Sequence, residues 1–216
     1  MSNYIRTAVS FEQLSEDQQQ KVLERFREIN VEDGFCYEYL LDEFKENLRG
    51  FGLNCDDVYF SLGCSQSDYV SFDAKLIDCA AFLSGMELTE KEKRAAVYMF
   101  EKDFIRLSYE SYRFRCVSGL NFEAENPHAD YVKGHLDPKT WFFIADERCK
   151  QAESYTFCQE VINKIERYAE DFENDVCHNL LKRLEAEYEY QTSDCAVHDM
   201  LIFNGFKFDF ETAETL

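Results

Sequence analysis

Apolar positions recur along this chain with two periods, and the switches between them mark out its elements. Val22, Phe26 and Ile29 recur at helical spacing and so share a face. Ser15-Glu16-Asp17-Gln18 stands just before them. A hydroxyl and a glutamine three residues apart can each bond the other's backbone amide, so this capping box predicts a helix running to about Ile29. A second helix is predicted over about Glu32 to Arg49. Phe35, Leu40, Phe44 and Leu48 form its inward face, and Gly50 or Gly52 suits a left-handed C-terminal stop. Ahead of both, alternation over Tyr4 to Ser10 predicts an opening strand.

The period then drops to two. Val58, Phe60 and Leu62 alternate with Tyr59 and Ser61, and Val70 and Phe72 with Tyr69 and Ser71. Between them lies Ser65-Gln66-Ser67-Asp68, so the stretch reads as a hairpin whose short polar side chains bond nearby amides in the turn. Thr89 to Glu92 repeats the capping-box pattern and predicts a helix over about Glu90 to Leu107, with Ala96, Met99, Phe100, Phe104 and Leu107 inward. Tyr109 to Ser118 alternates again, and Leu120 to Ala124 is its expected partner across Gly119.

Both prolines fall in "NPHADYVKGHLDPKT", an irregular surface loop near 125–140, and Thr140 to Ala145 is a further candidate strand. A long helical pattern follows from about Phe157 to Tyr188 through Val161, Ile165, Tyr168, Phe172, Val176, Leu180 and Leu184. Ser193 is placed to cap a last helix to Asn204, stopped by Gly205, before a closing strand at Phe206 to Phe210. No repeat, linker or low-complexity tract interrupts the sequence. The expected fold is therefore α+β, one domain over 1–216 with helices packed on an antiparallel sheet.

Charge narrows the function classes. Forty-three acidic residues against 23 basic ones leave a formal charge of −20. Binding a polyphosphate requires cations that displace its counterions, so bare nucleic acid is excluded as a direct partner and basic protein surfaces are favoured. The amino terminus has no signal-peptide core and no segment has the length of a membrane span, so the expected setting is cytoplasmic and without membrane. Nine cysteines at scattered spacings, with no C-x-x-C pair, read as reduced, mostly buried thiols.

Candidate chemistry is sparse. Cys64 or Ser65 is a nucleophile in type, with Asp68 to orient one of His128, His135, His178 and His198, yet no spacing selects a base. His128 and His135 with Asp130 and Asp137 are the residues of metal-ligand type, without a recognised spacing. No phosphate-binding loop or dinucleotide fingerprint occurs. The expectation is no enzyme, no cofactor and no metal.

Two stretches carry a resemblance. "LSEDQQQKVLERFREINVEDGFCYEYLLDEFKENLRGFGLNCDDVYFSLGCSQSD" and "LEAEYEYQTSDCAVHDMLIFNGFKF" resemble a phage-encoded family often labelled as the antitoxin of a toxin/antitoxin stability system. Its hairpin reads roughly F-S-G-F-W-S-Q-G-D-G and its ending L-E-x-E-Y-E-Y-x-T-S-D-x-A-V. The chain keeps Phe60, Ser61, Ser65, Gln66 and Asp68, and has Cys64, Ser67 and Tyr69 where the family has Trp and two glycines. The resemblance implies a phage or mobile-element origin and action inside a bacterial host cell.

The long helix supplies the candidate binding surface. Glu166, Glu170 and Glu173 stand at i, i+4 and i+7, Asp171 and Asp175 lie on adjacent rows, and Glu185 extends the series. Neighbouring carboxylates on such a helix stand roughly 6 Å apart, close enough to imitate a phosphate row. The leading expectation is an inhibitory protein that blocks a bacterial host defence factor, either as an acidic DNA mimic on a basic nucleic-acid-binding surface or by occupying a protein interface without catalysis. The alternatives are an antitoxin that neutralises one toxin stoichiometrically and a small hydrolase using the hairpin turn. Self-association stays open.

Overall fold

The capping boxes are the local signals that the fold follows most closely. In the computed structural model, which describes residues 7–32, 34–63, 68–101, 105–111, 118–124 and 151–216, Ser15 caps helix α1 (Glu16–Arg25) by accepting from the Gln18 amide, and the Gln18 side chain accepts from the Ser15 amide in return. Thr89 and Glu92 do the same for α4 (Glu90–Glu101), with Glu92 Oε2 2.7 Å from the Thr89 nitrogen. Each bond satisfies a donor that a helix start leaves free.

The class is α+β: helices packed on antiparallel sheet. By contact the chain divides into a terminal unit, Met1–Leu40 with Lys182–Leu216, and a central unit, Leu41–Leu181. Helices α2 (Glu38–Gly50) and α5 (Gln151–Gln191) contribute residues to both.

The central unit is built on a four-stranded antiparallel sheet in the order β2-β3-β4-β5, from β2 (Leu53–Ser61), β3 (Tyr69–Leu76), β4 (Ile105–Ser111) and β5 (Ser118–Ala124). Val70, Phe72 and Ala74 alternate inward on β3, and Ile105, Leu107 and Tyr109 on β4. Ala74 pairs with Tyr109, so the register puts both sets on one face. Against it stands a linked set of rings. Phe72 lies 5.5 Å from Phe44 of α2 and 5.0 Å from Tyr109, and Phe82 of α3 (Cys79–Ser84) lies 5.3 Å from Tyr168 and 6.0 Å from Phe172 of α5. Centroid separations of this size are those of favourable aromatic pairs.

Edge strand β2 carries a bulge at Asp56, between the pairs Cys55↔Ala74 and Asp57↔Asp73. The extra residue and two exposed carboxylates discourage another strand from adding there. Gly52, at φ +80°, turns the chain from α2 into β2, and its carbonyl accepts from the Ile77 and Asp78 amides. A Cβ there would collide with the Asp78 carbonyl oxygen, so the glycine is required.

The terminal unit has its own core of Val9, Phe11, Leu14, Val22, Val197, Leu201, Phe208 and Ala213. A short ladder joins β1 (Ala8–Val9) to β6 (Phe208–Asp209). Ser193 caps α6 (Asp194–Phe203), and Gly205 at φ +66° ends it. The Gly205 amide bonds the Ile202 carbonyl and the Phe206 amide the Leu201 carbonyl, which is the Schellman pattern.

Several boundaries differ from the sequence expectation. Helix α1 stops at Arg25 rather than Ile29, because the chain passes into successive i to i+3 turns through Phe26, Glu28 and Val31. Helix α2 begins at Glu38, not Glu32, and Phe35 lies in a preceding 3-10 turn, 70% exposed rather than inward. Leu107, expected in a helix, sits in β4, and Gly119 is no turn but pairs with Glu110. Ile105, Leu107 and Tyr109 alternate with period two, and Leu107 fits a helical row as well. Of the expected opening strand Tyr4–Ser10, the described part is strand at Ala8–Val9 and residues 4–6 lie outside the described residues; the closing strand is Phe208–Asp209 rather than Phe206–Phe210, and α3 has no counterpart in the sequence expectation. Of the expected loop and strand, 125–140 and 140–145 lie outside the described residues, as does the hairpin centre at 64–67.

Candidate functional site

The proposed carboxylate row does not stay on one surface. Helix α5 buries Val161, Ile165, Ala169, Phe172, Leu180 and Leu184. Glu173 directly follows Phe172 around the helix and is carried inward with it, to 7% exposure. Its charge lies close to the Tyr109 phenol and the Cys177 thiol. Burial chiefly, with Glu173 adding to it, raises both groups, the thiol to about 12. Glu173 is therefore corrected from a surface ligand to an interior carboxylate. Glu166 is half-buried. Glu170, Asp171 and Asp175 are exposed, Asp171 and Asp175 one turn apart, so this triplet is what remains of the proposed row on the surface of the central unit. Exposed Arg167 precedes Asp171 by one turn and interrupts the acid. Glu185 is exposed and belongs to the terminal unit.

The hairpin is formed as expected, with Val58↔Phe72, Phe60↔Val70 and Ser61↔Tyr69 in register. Asp68 is half-buried ahead of β3, whereas Ser65 and Gln66 lie outside the described residues. His178 is exposed on α5. His198 is half-buried, its Nδ1 3.1 Å from Asp199 Oδ1 and its ring edge-on to Phe11. His128 and His135 lie outside the described residues. Among those described, no cluster of metal-ligating side chains occurs, and no helix is long and apolar enough to cross a membrane.

The thiols correct a second expectation. Of the six described free cysteines only Cys158 is buried; Cys36, Cys55, Cys79 and Cys177 are half-buried and Cys195 is exposed. Desolvation nevertheless pushes Cys55 up to about 11 and Cys158 to about 12. Such thiols stay protonated at neutral pH and make poor nucleophiles.

Sequence reasoning did not single out which aromatic residues of the terminal unit are exposed. Tyr39 and Tyr190 are 56% and 64% exposed, and Phe203 is 90% exposed at the end of α6. The Tyr39 hydroxyl donates to Glu187 Oε2 at 2.8 Å, and the Gln191 side-chain amide donates to Glu187 Oε1 at 2.8 Å. The bond to Glu187 raises the Tyr39 pKa, an effect that nearby Arg183 opposes, so the phenol remains a donor. Nearby, the Tyr188 hydroxyl donates to Glu28 at 2.7 Å. A signal was available: Tyr190 falls off the row that buries Leu180 and Leu184, and Tyr39 falls one place off the row of Leu40, Phe44 and Leu48. Aromatic rings on the polar side of an amphipathic helix are the anomaly to notice.

No family model, curated protein or solved structure matches the chain.

Proposed function

We propose that the protein is a non-catalytic inhibitory binding protein of phage origin, which blocks a bacterial host defence factor by occupying a basic, nucleic-acid-handling surface. The phage setting rests on the sequence resemblance. The observation that carries the binding mode is the terminal unit, where exposed rings and carboxylates occur together. It holds 16 acidic and seven basic residues in the smaller share of the chain, and seven of the nine large apolar side chains exposed among the described residues. Exposed aromatics supply anchors and carboxylates supply selection for a cationic partner. The Glu170, Asp171 and Asp175 triplet adds to the field that draws such a partner in.

The test is capture from nuclease-treated bacterial lysate on the immobilised full chain, eluted with a salt gradient. One basic DNA- or RNA-handling factor released as salt rises is the expected result. Reversal of Glu170, Asp171 and Asp175 to Lys should slow its association by about tenfold or more at low salt. A partner held equally at all salt concentrations, or an unchanged rate in the variant, would remove acidic attraction from the mechanism.

A further inference from the structure

The identity of the cation that such a surface prefers can be argued from the terminal unit. Tyr39 and Tyr190 converge on one carboxylate. The Tyr39 hydroxyl reaches Glu187 directly, and Tyr190 stands three residues after Glu187 on α5, the spacing of side-chain neighbours on a helix face. Both rings are more than half exposed. Glu187 is fixed by two donors, one on each oxygen, and each oxygen keeps a second acceptor position. Exposed Glu38 adjoins Tyr39, and the terminal unit around them holds 16 acidic residues against seven basic ones, among which Arg183 stands one turn before Glu187.

We infer that the Tyr39–Glu187–Tyr190 face is an arginine-reading surface, whose occupant is a basic protein segment rich in arginine rather than lysine. The inference rests on the proposed basic partner and specifies it. A guanidinium is planar and weakly hydrated, so it can stack on an exposed tyrosine ring while its edge bonds a carboxylate. An ammonium is a compact, strongly hydrated point charge that gains little from the ring. A purely electrostatic surface would treat the two alike; an aromatic–carboxylate pair does not.

The experiment compares fluorescently labelled nona-arginine and nona-lysine by anisotropy titration against the full-length protein, across salt concentrations. Nona-arginine should bind at least fivefold tighter. Tyr190→Ser and Tyr39→Ser should each reduce that ratio, whereas Tyr39→Phe, which keeps the ring and removes the bond to Glu187, should retain most of it. Circular dichroism melts of each variant confirm the fold. Equal affinity for the two peptides, with salt sensitivity intact, would overturn the arginine inference and leave the basic-partner reading standing. Binding of neither peptide would overturn both.

Discussion

The two units use their aromatic residues in opposite ways. In the central unit Phe44, Phe72, Phe82, Tyr109 and Phe172 are buried against one another and against the sheet. Among the described residues it exposes only Phe51 and Ile77 as large apolar side chains. The terminal unit closes a smaller core and leaves Phe35, Tyr39, Tyr190, Ile202, Phe203, Phe210 and Leu216 exposed, with a denser excess of negative charge. Folding accounts for the first arrangement, because each buried ring removes a large apolar area from water. It does not account for the second. Exposed rings together with excess negative charge in one unit are the features on which the proposed binding role rests.

The contrast can be broken most forcefully at Phe72, which is fully buried between Phe44 and Tyr109. Phe72→Ala should destabilise the protein by about 3–5 kcal/mol, through lost burial and the cavity left behind, read as a lower urea midpoint. Gly52→Ala comes next. Its Cβ meets the Asp78 carbonyl and its φ is positive, so a loss of about 1–3 kcal/mol is expected in the same assay.

A smaller, pH-dependent effect belongs to Glu92, which is held at about 2, chiefly by the Lys164 ammonium 2.6 Å away and then by Thr89. A carboxylate depressed in the folded state stabilises it above the ordinary carboxylate range, and that contribution is lost as pH falls through about 2. The stability gap between wild type and Glu92→Gln should therefore be widest at pH 5 and close toward pH 2, as measured by urea unfolding at each pH. A gap independent of pH would mean that shape rather than charge matters at this position. The smallest effect sharpens the contrast from the other side. Phe203→Ser should change stability by less than about 0.5 kcal/mol, because the ring is 90% exposed; a large drop in melting temperature would make Phe203 part of the fold.

What could be read from the sequence follows the range of the forces involved. The capping boxes at Ser15 and Thr89, the Ser193 cap and the Gly205 stop are complete within a few residues, and each was legible. The pairing of the two strands around Ser65 to Asp68 was legible because both keep their alternation toward the turn; the register, Val58 opposite Phe72, comes from the structure. The start of β4 at Ile105 was not. Leu107 fits the inward row of a helix as well as that of a strand, and its pairing with β5 decides. The inward turn of Glu173 was also hidden: acids at helical spacing predict a shared face, but not how wide the buried face beside it is. Tyr39 meets Glu187 through a hydrogen bond between residues 148 apart in sequence, which no local pattern reports.

The most direct measurement is a hydrogen-exchange footprint of the full-length protein with and without saturating nona-arginine. Added protection in segments around Phe35–Leu40 and Lys182–Gln191, with the sheet segments Leu53–Ser61 and Tyr69–Leu76 unchanged, is the result expected if the terminal unit is the contact face. Protection on the sheet of the central unit, with the terminal segments unchanged, would contradict it.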